Sequence, residues 1–117
     1  MKYLVVDDSK LARLSLIKSL KTHVGEAEIF QACNGLEAVE IMSTEKADIV
    51  FLDLTMPEMD GYEALPKILE INKDAKVVVV SADIQIKAQE RVISLGAQMH
   101  NQKPINVAKM KDILDIL

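Results

Sequence analysis

The chain has 117 residues, a formal net charge of −4 and a hydrophobic share of 50%. This composition fits one globular domain and argues against disorder, and the acidic balance excludes a general attraction for nucleic acid or anionic lipid. Cys33 is the only cysteine, which excludes an internal disulfide and a cysteine metal cluster. No apolar run is as long as a signal-peptide core or a membrane span, so we expect a cytoplasmic protein with no membrane insertion.

Short apolar runs alternate along the chain with segments of helical period. The predicted strands are Tyr3–Val6, Ala27–Ala32, Asp48–Leu52, Lys76–Val80 and Ala97–Asn101. The third and fourth runs are continuously apolar, which is typical of central strands covered on both faces. The predicted helices run from Ser9 to about Lys21, from Asn34 to about Glu45, and over Gly61–Asn72, Asp83–Leu95 and Ile105–Leu117.

Local signals refine three of these helices. In the second, Asn34 is a candidate cap and Glu37 follows three residues later, as in a capping box. In the third, Pro66 conflicts with a helix interior, so we expect this helix to start late or to bend there. The first helix places four apolar side chains on one stripe, namely Leu11, Leu14, Ile17 and Leu20.

Five strand–helix pairs in strict alternation predict a doubly wound α/β fold with a five-stranded parallel sheet and helices on both faces. Ligands of such folds bind beyond the carboxyl ends of the strands. The residues at these ends are three acids, one hydroxyl and one amine: Asp7, Asp8, Asp53, Ser81 and Lys103. We therefore expect these five side chains to converge on one edge of the sheet.

The chemistry of this set points to a phosphoryl acceptor. Crowded carboxylates repel one another, and a divalent cation relieves the repulsion. Oxygen ligands of this kind suit Mg²⁺, which also accepts phosphate oxygens. A carboxylate such as Asp53 is a nucleophile toward phosphorus, and the Lys103 ammonium and the Ser81 hydroxyl can bind the transferred group.

The chain resembles the receiver domain of two-component response regulators, particularly the stand-alone chemotaxis type. The matching segments are VVDDS at 5–9, FLDLTMPEMDG at 51–61, VVVVSAD at 77–83, LGA at 95–97 and KP at 103–104. They span nearly the whole chain, in order and at suitable spacing. The resemblance implies a flavodoxin-like sheet with strand order 2-1-3-4-5, and a single receiver domain over residues 1–117 without an output domain.

The resemblance also implies how phosphorylation is supported. Asp53 would be the phosphorylated aspartate. Asp8, Asp53 and the backbone carbonyl of Thr55 would bind Mg²⁺ directly, and Asp7 would bind it through water. Thr55 and Asp83 would tune hydrolysis of the phosphoryl group.

Two further residues would respond to phosphorylation. Ser81 would be the switch hydroxyl and Lys103 would pair with the phosphoryl group, with a cis peptide bond between Lys103 and Pro104. Receivers usually carry Tyr or Phe three residues before this lysine, whereas this chain has His100. Rotation of the His100 imidazole could report the phosphorylated state, with a pH dependence that tyrosine lacks.

The expected partners follow from the same resemblance. The chain would accept phosphoryl from a histidine kinase or a histidine phosphotransfer protein and would then bind an output protein, the flagellar motor or similar, through its fourth helix, fifth strand and fifth helix. A phosphatase is a further possible partner, and we expect a monomer that binds no nucleic acid directly. The domain would catalyse only its own phosphotransfer and dephosphorylation, so it is not an enzyme in the ordinary sense.

Other interpretations stay open at this point. The chain could be an intermediate carrier of a phosphorelay, or a receiver that acts without phosphorylation. A third alternative is a small phosphatase with an aspartate nucleophile, which needs a second acid where this chain has Thr55. A fourth is a flavin or nucleotide module, which needs a glycine-rich loop where this chain has VVDDSK. Individually, Asp7 and Asp8 could cap a helix and Ser81 could end a strand.

Overall fold

Five parallel strands alternate with five helices in the computed structural model, which describes residues 1–117. The strands are β1 (Lys2–Val6), β2 (Glu28–Ala32), β3 (Ile49–Leu52), β4 (Lys76–Ser81) and β5 (Met99–Gln102). The helices are α1 (Lys10–Val24), α2 (Gly35–Glu45), α3 (Gly61–Ile71), α4 (Ile86–Ser94) and α5 (Val107–Ile116). None of the helices combines the length and apolarity that crossing a bilayer requires.

The strand order in the sheet is β2-β1-β3-β4-β5, and every pair is parallel. The doubly wound fold and the order implied by the resemblance are therefore confirmed. Because β1 lies between β2 and β3, the chain reverses its direction of progress across the sheet at β1. The carboxyl ends of β1 and β3 thus flank the point where α/β sheets bind ligands.

Alternate residues of each strand supply the two halves of the core. Leu4, Val50 and Val77 belong to the face that packs against buried residues of α2, α3 and α4. Tyr3 and Phe51 point to the opposite face, where buried residues of α1 and α5 cover them. The central strands are covered on both sides, as their continuous apolar runs predicted.

The apolar stripe predicted for α1 is wrong in its first half. Ile17 and Leu20 are buried, but Leu11 is 80% exposed and Leu14 is 45% exposed. A strict spacing of three residues rotates by about 60° per step on a helix of 3.6 residues per turn. Leu11 therefore faces away from the side of α1 on which Leu20 packs.

The helix α3 begins at Gly61, so the expected late start is wrong. The Asp60 carboxylate caps the helix by accepting a hydrogen bond from the Glu63 N–H at 2.9 Å. The helix continues through Pro66, which lies on the exposed side, to Ile71. The cap and the buried face of this helix outweigh the loss of one backbone donor.

Other boundaries also differ from the predictions by two or three residues, among them the end of α1 and the starts of α4, β5 and α5. The helix α4 begins at Ile86 because Asp83 forms a turn, in which its carboxylate accepts a hydrogen bond from the Gln85 N–H at 2.9 Å. The strand β5 begins at Met99, two residues later than expected. The cap of α2 is confirmed, since the Asn34 side chain accepts a hydrogen bond from the Glu37 N–H at 2.8 Å.

Candidate functional site

The sheet itself sets the spacing of the acids, because its hydrogen bonds continue one residue beyond the strands. The Asp7 N–H donates to the Ala32 carbonyl at 3.1 Å, and the Asp53 N–H donates to the Val6 carbonyl at 3.0 Å. Asp7 and Asp53 thus start from adjacent, fixed backbone positions at the carboxyl edge of the sheet.

Three carboxylates meet at this edge. One oxygen each of Asp7, Asp8 and Asp53 lies within 4.8 Å of the other two. Asp7 and Asp53 are each only 6% exposed, whereas Asp8 is exposed. Oxygen donors grouped this closely and open to solvent on one side fit a hard divalent cation that keeps some of its water.

Lys103 lies between the two buried acids. Its Nζ is 2.5 Å from Asp7 Oδ2 and 3.3 Å from Asp53 Oδ2. The Lys103 backbone N–H donates to the Ser81 carbonyl at 2.9 Å. This bond holds the backbone of Lys103 beside the end of β4. One cation therefore opposes the repulsion between two carboxylates.

Burial and neighbouring charges both shift the pKa values of Asp53 and Lys103. Burial raises the pKa of Asp53 and so does the charge of Asp7, and the nearby Lys103 ammonium only partly opposes them. Burial by itself lowers the pKa of Lys103, but the hydrogen bond to Asp7 and the charges of Asp53 and Asp7 outweigh it, so this pKa is raised. Lys103 is therefore held as a cation, and Asp53 carries an electrostatic cost that additional positive charge would relieve.

The backbone around Asp53 is tightly packed. Asp53 Oδ1 accepts a hydrogen bond from the Leu54 N–H at 2.8 Å, and the Gly61 N–H donates to the Leu54 carbonyl at 2.9 Å. A Cβ atom at Gly61 would overlap the carbonyl oxygen of Asp53. Only glycine allows the start of α3 to lie this close to the end of β3.

Ser81, Asp83 and Thr55 lie at the same edge with different exposure. Ser81 is buried, and its Oγ accepts a hydrogen bond from the Asp83 N–H at 3.0 Å. Because this bond uses a lone pair, the hydroxyl proton of Ser81 is free to be donated elsewhere. Asp83 and Thr55 are exposed.

His100 is half-buried on β5, opposite Val79 of β4. Its Nε2 is buried and has no hydrogen-bond partner, and the same is true of Asn101 Nδ2 beside it. Buried polar atoms without partners cost free energy. The position at which the resemblance implies Tyr or Phe thus contains an imidazole, one nitrogen of which has no hydrogen-bond partner.

A model of the response regulator receiver domain family matches residues 3–115 of the chain. The chain belongs to this family. Its similarity to single proteins covers nearly its full length: it is 36% identical to the chemotaxis protein CheY of Thermotoga maritima, over 97% of this chain and 94% of that protein. It is 33% identical to the sporulation initiation phosphotransferase F of Bacillus subtilis, over 95% of this chain and 88% of that protein.

A solved structure extends the comparison. CheY in the CheX-CheY-BeF3-Mg+2 complex from Borrelia burgdorferi is 31% identical, with a TM-score of 0.88, over 99% of this chain and 85% of that one. This chain is thus a receiver domain of two-component signal transduction, a signalling domain and not a classical enzyme. Its Lys103–Pro104 peptide bond is cis, as the resemblance implied.

Cavity size does not identify the site of this receiver domain. A cavity of about 570 Å³ lies at the opposite edge of the sheet, where Tyr3, Asp48 and Lys76 line it. A cavity of about 80 Å³ adjoins the acidic cluster and is lined in part by Asp7 and Lys103. Asp8 and Asp53 line neither cavity, so the candidate site is defined by its grouped carboxylates and Lys103 and not by a cavity.

The structure adds Arg13 to the site, a residue that our sequence reasoning missed. Its Nη1 donates to the backbone carbonyl of Asp7 at 2.6 Å, and its Nε donates to Gln31 Oε1 at 3.1 Å. The only signal in the sequence is a basic residue five positions after Asp8 in a predicted helix. That signal does not distinguish a contact with the site from an ordinary surface charge.

Proposed function

We propose that this receiver domain accepts a phosphoryl group on Asp53 from the phosphohistidine of a kinase or of a histidine phosphotransfer protein. The observation that carries the proposal is the position of the Asp53 carboxylate. It is buried, it lies within 4.8 Å of oxygens of two other acids, and it is 3.3 Å from the Lys103 ammonium. Lys103 only partly neutralises the charge of this carboxylate. Catalysis of phosphoryl transfer depends mainly on positioning and charge neutralisation, and the site offers both.

Mg²⁺ fits this site. Asp8, Asp53 and the Thr55 carbonyl would hold it directly, and Asp7 would hold it through water. A bound Mg²⁺ would neutralise charge on the carboxylates and on the phosphoryl oxygens. The similar protein from Borrelia burgdorferi was crystallised as a complex that includes BeF3 and Mg+2, which supports Mg²⁺ as the cation.

The transfer step balances without a further reactant. An Asp53 carboxylate oxygen forms a bond to phosphorus while the bond from phosphorus to the histidine nitrogen breaks. The electron pair returns to the imidazole, which then takes a proton. Lys103 pairs with the phosphoryl oxygens by a short movement from its present position between Asp7 and Asp53.

The response to phosphorylation would begin at Ser81. Its hydroxyl proton is free, so the hydroxyl can donate to a phosphoryl oxygen. Thr55 and Asp83, both exposed at the rim, would set how readily water reaches the acyl phosphate. His100 on β5 would change its orientation as Ser81 moves.

Output would proceed through the surface formed by α4, β5 and α5, which binds a partner protein, in chemotaxis or a related pathway. Large apolar side chains are exposed on two of these elements, including Ile86, Ile93 and Val107. Similarity to the chemotaxis protein of Thermotoga maritima supports the pathway.

The test is phosphorylation by a small donor. The protein is incubated with acetyl phosphate and Mg²⁺, and its intact mass is measured. We expect one acid-labile phosphoryl group, absent from Asp53→Ala and strongly reduced without metal. The matched control Asp74→Asn, an exposed acid at the opposite edge of the sheet, retains the adduct. Phosphorylation of Asp53→Ala at the wild-type level would contradict the proposal.

A second candidate function is that of an intermediate carrier, which passes the phosphoryl group on to another histidine protein. The similarity to the sporulation initiation phosphotransferase F favours it. Incubation of the phosphorylated protein with histidine phosphotransfer proteins separates the two functions, because a carrier loses its phosphoryl group to the histidine and a terminal switch does not.

A further inference from the structure

Arg13 links the acidic edge to the neighbouring strand. It lies in the first turn of α1, where it is half-buried, and its guanidinium bonds to the Asp7 carbonyl and to the Gln31 side chain on β2. The bond of 2.6 Å to the Asp7 carbonyl is short for a nitrogen donor.

The Asp7 carbonyl belongs to the peptide unit that joins Asp7 to Asp8. Because a peptide unit is planar, a fixed carbonyl oxygen also fixes the N–H and the Cα of Asp8. The other polar atoms of Asp7 are already bonded: its N–H to Ala32, its Oδ1 to the Ser9 N–H and its Oδ2 to Lys103. With the bond from Arg13, every polar atom of Asp7 has a partner. The backbone that carries the exposed Asp8 carboxylate is therefore held in place.

We infer that Arg13 is a positioning residue for the metal site, which sets the direction of the Asp8 carboxylate through the Asp7–Asp8 peptide unit. This inference rests on the proposed function, in which Asp8 binds Mg²⁺. Arg13 touches neither the metal nor the phosphoryl group.

The type of side chain matters for this role. A guanidinium presents several donors in a rigid plane and reaches the Asp7 carbonyl and Gln31 at once, whereas an ammonium is a point charge on a flexible stem. Gln31 holds the far side of Arg13 and so takes part in the same arrangement. Arg13→Lys keeps the charge and loses the fixed geometry.

The test measures Mg²⁺ affinity directly, by isothermal titration calorimetry of the full chain. We expect Arg13→Gln to bind Mg²⁺ about tenfold more weakly than the wild type, the size of effect that residues supporting metal ligands have. Arg13→Lys is expected to recover only part of the loss. The matched control is Arg91→Gln, which removes the same charge on α4, where Arg91 lies over the Tyr62 ring, and it retains wild-type affinity.

Thermal melting separates this role from a merely structural one. If Arg13 only joins α1 to the sheet, Arg13→Gln lowers the melting temperature and leaves Mg²⁺ affinity unchanged, which overturns the inference. Should Arg13→Gln fail to fold, Gln31→Ala replaces it, since it removes the second anchor of the guanidinium and is expected to weaken Mg²⁺ binding by a smaller factor.

A double-mutant cycle identifies Asp8 as the residue through which Arg13 acts. In an Asp8→Asn background, Arg13→Gln is expected to cause no further loss of Mg²⁺ affinity. Additive losses would overturn the inference. A wild-type protein that binds no Mg²⁺ would contradict the proposed metal site and the inference with it, whereas normal binding by Arg13→Gln would contradict the inference alone.

Discussion

Lys103 Nζ lies 2.5 Å from Asp7 Oδ2, although the two residues are 96 positions apart in the sequence. The pair brings a cation from the end of β5 to the end of β1, across the full width of β3 and β4. It also places that cation within 3.3 Å of Asp53. The negative charge at the acidic edge is therefore partly neutralised by a lysine of the same chain.

Replacement of Lys103 by methionine is expected to destabilise the protein and to slow phosphorylation. The variant leaves two buried carboxylates without their shared cation, at a cost of about 1–3 kcal/mol in the free energy of unfolding at neutral pH. Chemical denaturation measures the stability, and acetyl phosphate kinetics measure the rate. Lys111→Met is the control, because Lys111 forms an exposed pair with Asp115. Equal behaviour of the two variants would contradict this role of Lys103.

Asp53→Asn is expected to raise the melting temperature of the metal-free protein at neutral pH. The pKa of Asp53 is raised in the folded state, so the folded protein binds this proton more tightly than the unfolded chain does. The contribution of Asp53 to stability is therefore complete below its ordinary pKa of 3.8 and is lost as the pH rises through the folded value. Asparagine retains the acceptor for the Leu54 N–H and removes the charge.

The pH dependence of melting provides the check on Asp53. The stabilisation by Asp53→Asn is expected at pH 7 and is expected to shrink as the pH falls toward the ordinary pKa. Added Mg²⁺ is expected to stabilise the wild type and to have little effect on the variant. Asp74→Asn, on the exposed opposite edge, serves as the control. A lower melting temperature for Asp53→Asn than for the wild type at pH 7 would refute the electrostatic argument.

Gly61→Ala is expected to impair phosphorylation as well as stability. The new Cβ would overlap backbone atoms of Asp53 and Leu54, which cannot move aside as a flexible side chain can. We expect a loss of about 2–3 kcal/mol in the free energy of unfolding and a displaced acceptor carboxylate. The control is Gly25→Ala, which strains a backbone with φ of 63° but meets no atom within 4 Å. Gly25→Ala is expected to lose stability and keep its phosphorylation rate.

His100→Phe is expected to stabilise the protein by about 1 kcal/mol, because it removes a buried Nε2 that has no hydrogen-bond partner. His23→Phe is the control, since the exposed His23 has a partner for Nε2, the Val107 carbonyl at 2.7 Å. Partner binding by phosphorylated His100→Ala tests the role in signalling. Unchanged binding would mean that the imidazole does not report the phosphorylated state.

Sequence periodicity predicted every strand and helix, but it did not predict correctly which side of α1 is buried. The continuous apolar runs of β3 and β4 predicted central strands, and these residues are buried. Leu11 and Leu14, in contrast, were predicted to lie on the buried stripe of α1 but are exposed. On a surface helix, the packing partner decides which side is buried, and the partner is not encoded locally.

The alternation of strands and helices, read from the sequence by itself, determined the parallel fold and the edge at which Asp8, Asp53 and Lys103 gather, because the carboxyl ends of parallel strands share one edge. Only the tertiary structure decided that Lys103 pairs with Asp7 and that Arg13 supports the Asp7–Asp8 peptide unit. Such contacts depend on the directions of side chains from elements far apart in the chain. Those directions are set by strand register and helix packing, which the order of residues does not reveal.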